Sequence, residues 1–179
     1  MKKILILIAL AVIFASCKVA TGNAAAELIV QSIKPNLLSA DVDDGFDDKV
    51  VVAVQAVLRN PSEPIVTTEL NVIVDQIDVT YFRSDGQNVP GQDVPYGYSM
   101  RWNKYLIANE AAVDLENVVI LRHVAKLEPP LIDLLNLGQE KIFTFYARMT
   151  FHAKDIRGHR LDPVTADMTI QAANFAGEE

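Results

Sequence analysis

Two hydrophobic patterns divide the chain. From Ile4 to Phe14 eleven residues are apolar without a break, behind the cationic start Met1-Lys2-Lys3. From about residue 27 onward the pattern mostly alternates, the period of two that puts successive side chains on opposite faces of a strand. Lys49 to Leu58 is the strongest example: Val50, Val52, Val54, Ala56 and Leu58 share one face, with Val51, Ala53, Gln55 and Val57 opposite. Both faces are largely apolar, as in an interior strand. Asn60-Pro61 ends it, because proline lacks the ladder donor and restricts its predecessor.

The same reading predicts strands near Glu27–Ile33, within Asn71–Phe82 (best read as Gln76–Arg83), Met100–Ile107, Ala112–Arg122, Lys141–His152 and Val164–Phe175. In the fifth of these, Phe143, Phe145, Ala147, Met149 and Phe151 oppose Thr144, Arg148, Thr150 and His152. Ser84-Asp85-Gly86 is a turn signal, and Asn88 to Tyr98, with two prolines and two glycines, is a shaped loop. Arg157-Gly158-His159 lies near a hairpin tip. After Glu128-Pro129-Pro130, Leu131 to Leu137 reads as a short helix or an apolar loop. About seven strands at turn-punctuated spacing predict an all-β protein, an antiparallel immunoglobulin-like sandwich over residues 27–176. With one cysteine in the chain, the disulfide of a true antibody domain is excluded.

The leader changes the picture of location. A charged start, an apolar stretch and the small residues Ala15-Ser16 before Cys17 make a secretory signal, too short to span a bilayer comfortably. Phe14-Ala15-Ser16-Cys17 resembles the lipobox of bacterial lipoproteins. That resemblance implies removal of residues 1–16, acylation of Cys17 with palmitate-type chains, and a lipid-anchored tether over 17–26. Each buried CH₂ contributes roughly 0.8 kcal/mol, and stable anchoring takes more than one chain. An ordinary secretory signal with an incidental cysteine is the alternative. The expected location is the bacterial cell envelope, periplasmic or on the outer face of the outer membrane. Lys18, where an aspartate would favour inner-membrane retention, leans toward the outer membrane.

Cleavage leaves 163 of 179 residues, and losing Lys2 and Lys3 takes the formal charge from −7 to −9. An acidic body argues against nucleic acid as a partner and against broad adhesion to anionic lipid. Half the residues are hydrophobic, so one domain with a real core is expected, followed by a short acidic tail at 177–179.

Candidate chemistry is sparse. The run Asp41 to Asp48 holds five aspartates, but placing Gly45 at the sixth position of a calcium loop puts Ala40 first and Val42 third, so that register fails. A solvated acidic loop guarding a hydrophobic strand is the preferred reading over a calcium site of another type. His123, His152 and His159 lack paired zinc spacing and are read as surface or loop residues. No nucleophile elbow, phosphate loop or His-Glu-x-x-His motif is present, so no enzyme activity, catalytic residue, metal or cofactor is expected. The richest stretch outside the expected core is aromatic and basic, and Tyr96, Tyr98, Arg101, Trp102 and Lys104 form the candidate contact surface. Aromatics that fill the core or pin loops are the alternative.

Val57-Leu58-Arg59-Asn60-Pro61, the run from Tyr81 to Tyr96 (YFRSDGQNVPGQDVPY) and Leu121 to Glu128 (LRHVAKLE) together resemble a family of uncharacterised exported bacterial lipoproteins. The likeness covers most of the chain after the leader. It implies a lipid-anchored all-β sandwich and carries no substrate or catalytic residue. Arg101 to Lys104 (RWNK) departs from it, being bulkier and more basic than the small polar stretch expected there. The functional expectation is a non-enzymatic lipoprotein that presents its sandwich to an envelope protein or polymer, attached to the membrane through the lipid on Cys17. A glycan- or small-molecule-binding accessory protein is the alternative.

Overall fold

The computed structural model describes residues 24–59, 70–137 and 141–175. The leader, Cys17, most of the tether and the acidic tail lie outside the described residues. Eight strands follow one another: β1 (Ala26–Lys34), β2 (Leu37–Asp41), β3 (Asp48–Leu58), β4 (Val72–Phe82), β5 (Tyr98–Leu106), β6 (Val113–Leu121), β7 (Phe143–Asp155) and β8 (Val164–Ala173). They form a three-stranded sheet, β1-β3-β6, and a five-stranded sheet, β2-β8-β7-β4-β5. The fold is therefore an all-β sandwich. Its order matches an immunoglobulin-type A-B-E sheet facing G-F-C-C′. All seven expected strands are present. The eighth, β2, pairs in parallel with β8, so the sheet is not purely antiparallel.

The period of two builds the core. Val50, Val52, Val54 and Ala56 from β3 face Ile77 and Val79 of β4, Phe145 and Met149 of β7 and Ile170 of β8 in one buried cluster. Burying side chains of this size stabilises by roughly 1.5–3 kcal/mol each before entropy is counted. Across the layers, the buried Tyr81 hydroxyl donates to Ile120 O at 2.9 Å, and Tyr98 donates to Val119 O at 2.7 Å. Burial pushes both phenols above their ordinary pKa, which keeps them as neutral donors.

Chain direction gives the sandwich two distinct ends. Ala24, Leu58 and the β5–β6 and β7–β8 connections share one end, where Arg59 N donates to Ala25 O and Arg59 pairs with Asp162. Asn109, at φ +61°, folds the β5–β6 connection against β3: its carboxamide accepts from Leu58 N, and its own N–H donates to Ala56 O. Asparagine tolerates this left-handed conformation better than most residues. The opposite end holds the short helix α1 (His123–Lys126) and a 3-10 turn over Ile132–Asn136, where the sequence left helix or loop open.

At that second end the acidic run is not merely a solvated loop. Lys126 is fully buried, pairs with Asp44 and has its Nζ 2.9 Å from Asp48 Oδ2. The Asp47 carboxylate accepts from His123 N at 2.7 Å. The aspartates thus clamp α1 over the sandwich. Asp48 is held above its ordinary pKa, because burial outweighs the lysine's hydrogen bond and charge.

Candidate functional site

The outer face of the five-stranded sheet carries the polar half of the alternation. Here β4 contains an irregularity. Its register to β7 passes from Val74↔Ala153 to Gln76↔His152, leaving Asp75 as an extra residue. On its other side the register passes from Val74↔Lys104 to Gln76↔Arg101, so Trp102 and Asn103 together oppose Asp75. A bulge of this kind re-aims side chains and is common at sheet edges and functional sites.

The result is a groove of about 430 Å³ lined by Asp75, Gln76, Arg101, Trp102, Lys154 and Arg160, with Ile73 and Asn103 at its margins. Arg160 arrives from the β7–β8 connection, and its Nη1 lies 2.7 Å from both oxygens of Asp75. Lys154 Nζ stands 3.6 Å from the same carboxylate. Among the described residues no carboxylate pairs with Arg101. Three cations and one carboxylate thus line the groove, a local surplus of positive charge on a chain whose formal net charge is −7.

Beside the groove, Asp78 collects three donors. Its carboxylate accepts from Ser99, from Gln76 Nε2 at 2.7 Å, and meets His152 Nε2 at 2.7 Å. Burial opposes ionisation of Asp78, but these hydrogen bonds and the imidazole prevail and hold its pKa below the usual value. The order is Ser–Asp–His. A nucleophile relay needs the imidazole between hydroxyl and carboxylate, so this set ties β4, β5 and β7 together and does not activate Ser99.

The five expected contact residues do not form one patch. Arg101 stands exposed on the outer face; Trp102 packs partly against the core yet reaches the groove. Lys104 lies beyond Trp102 in a second hollow of about 420 Å³, with Asp114, Leu115, Glu116 and Asn117 of β6. Tyr96 is 54 % exposed and lays its ring over Gly91 in the loop before β5. Tyr98 turns inward, its hydroxyl spent on Val119 and the Arg122 guanidinium 4.4 Å from its ring centre, which makes it a packing residue.

Compared with known proteins, the chain matches no family model and no curated protein.

Sequence reasoning missed Asp75, Lys154 and Arg160. The one signal available was the broken alternation in β4, where Val72 and Val74 are followed by Ile77 and Val79. Among the described residues no group of three or more His, Cys, Asp or Glu side chains could hold a metal ion, and no helix is long and apolar enough to cross a membrane. His159 is bound to Asp155 through its N–H at 2.8 Å and its ring Nδ1 at 2.9 Å, and His152 to Asp78.

Proposed function

We propose that this chain is a non-enzymatic lipoprotein of the bacterial cell envelope, anchored through Cys17, that holds another envelope component against the bulged β5 edge of its sandwich. The observation that carries this reading is the groove itself: Arg101, with no carboxylate partner among the described residues, beside Trp102 on an edge strand, backed by Lys154 and Arg160. Arginine and tryptophan are enriched among residues that dominate binding energy. The anchor reading is supported by the apolar run and the small residues before Cys17. Six residues lie between Cys17 and Ala24, seven chain steps, so the contour to the described domain is at most roughly 25 Å, and the domain's Ala24 end is the one nearer the membrane. The groove lies toward that end of the sheet, since Arg160 comes from the β7–β8 connection, and an envelope-bound polymer or protein would meet it there.

Two measurements test this. In a bacterial host given a fatty-acid probe, the native chain is expected to incorporate label and Cys17→Ser to lose it; equal labelling overturns the anchor. A photocrosslinker at exposed Asn103 is expected to capture an envelope component that one at Thr165, across the same sheet, does not. Equal capture, or none at either position, overturns the contact surface.

A further inference from the structure

The chemistry of the groove specifies its ligand more closely, taking as given that the β5 edge is the contact surface. We infer that the groove binds a carboxylate-bearing saccharide, a uronic-acid-type unit of a polymer. A built charge arrangement comes first. Asp75 fixes Arg160 through two contacts to one nitrogen and holds Lys154 nearby, leaving part of each cation's donor set turned to solvent. Arg101, opposite Gln76 in the strand register, has no carboxylate partner among the described residues and keeps its planar fork for one. An anion is the ligand such a surplus attracts, and the acidic remainder of the molecule would repel the same ligand elsewhere.

The second argument is the lining. Apart from Trp102, only Ile73 is apolar; Gln76 and Asn103 contribute amides that both donate and accept. An acidic peptide would want apolar pockets for its side chains, as protein interfaces have in their centres. A sugar ring wants an aromatic plane for its C–H face and amides for its hydroxyls. Trp102 and Arg101, adjacent in sequence, both line the groove and bring an aromatic ring and a carboxylate fork to it. The groove volume of about 430 Å³ suits one or two rings of a longer chain, with the sheet edge open for the rest.

Trp102 is the sole tryptophan, so its emission reports on the β5 edge, where it lines the groove and the neighbouring hollow. The processed lipoprotein, purified in detergent, is titrated with polygalacturonate, dextran, polyglutamate and polyphosphate. Polygalacturonate is expected to change the emission saturably, more weakly as salt rises, with dextran silent and the other two polyanions binding at least about tenfold less well. Arg101→Gln and Lys154→Gln, both on the solvent side of the sheet, are each expected to weaken the titration by about tenfold or more. No saturable change with polygalacturonate, or none of the expected loss in Arg101→Gln, overturns the inference. Equal binding of dextran removes the role of the carboxylate; equal binding of polyglutamate or polyphosphate removes the saccharide. A silent titration alongside selective capture from Asn103 rejects the acidic saccharide and keeps the contact surface, whereas failure of both rejects the surface itself.

Discussion

At Gly97 a backbone oxygen stands where a side chain would begin. A Cβ there would sit 2.8 Å from Val79 O, at the point where Val79 pairs with Tyr98. Gly97→Ala must therefore push β5 off β4, and we expect a loss of about 1–3 kcal/mol by urea denaturation. Gly91 is constrained differently. Its φ of +76° is strained for any side chain, and a Cβ would overlap the Tyr96 ring. That ring is the free end of a flexible side chain and can swing away. Gly91→Ala should thus cost about 1–2 kcal/mol from the backbone alone, and it should open residues 86–96 to protease. In the native loop, Gly91 N donates to Val94 O at 2.7 Å and Asp93 Oδ2 accepts from Val89 N at 3.0 Å, so slow cleavage there is the reference.

Among the elements, the clamp of α1 and the acidic run carries the sharpest energetic consequence. Lys126 is fully buried, and its two carboxylates are what make its charge tolerable. Removing both, as Asp44→Asn with Asp48→Asn, leaves an uncompensated buried cation, and such losses cost about 3–5 kcal/mol. Asp44→Asn alone is expected to cost far less, because Asp48 remains 2.9 Å away. The same region shows where sequence reading stops. Strands β3 and β7 were legible because their alternation runs unbroken for ten residues or more. β4 was placed within Asn71–Phe82 but read best from Gln76, because the bulge at Asp75 resets its phase. Strand β2 was invisible: five residues next to a proline and an acidic run, defined by a parallel partner 132 positions away in sequence. The candidate site was legible on β5 and nowhere else, since Asp75, Lys154 and Arg160 meet it only through sheet register and loop closure.

For the molecule as a whole, acid should be destabilising through two carboxylates. Asp78 and Asp155 both titrate below the ordinary 3.8: burial opposes this, but hydrogen bonds from Ser99, Gln76 and His152, and from His159, outweigh it. The unfolded chain therefore takes up these protons first. Their contribution is present above about pH 4 and is lost as pH falls through the folded values. Asp48 runs the other way, since its raised pKa means that protonation relieves a buried charge. Asp78→Asn should flatten the acid limb of a stability–pH curve measured by denaturant titration, and an unchanged limb would contradict the assignment. The parallel pairing of β2 with β8 has a mechanical meaning as well. β2 continues from β1 at the chain's entry, and β8 leads out at the opposite end. Tension applied between Ala24 and Phe175 therefore drags the two strands past each other along their length, loading the rungs from Leu37↔Thr169 to Asp41↔Ala173 side by side. Load shared among rungs in this way resists a pull better than rungs opened one after another. Single-molecule pulling from those two points should need more force than pulling from Ala24 and Asn109, which share one end, and equal forces would show that the β2–β8 ladder bears no load.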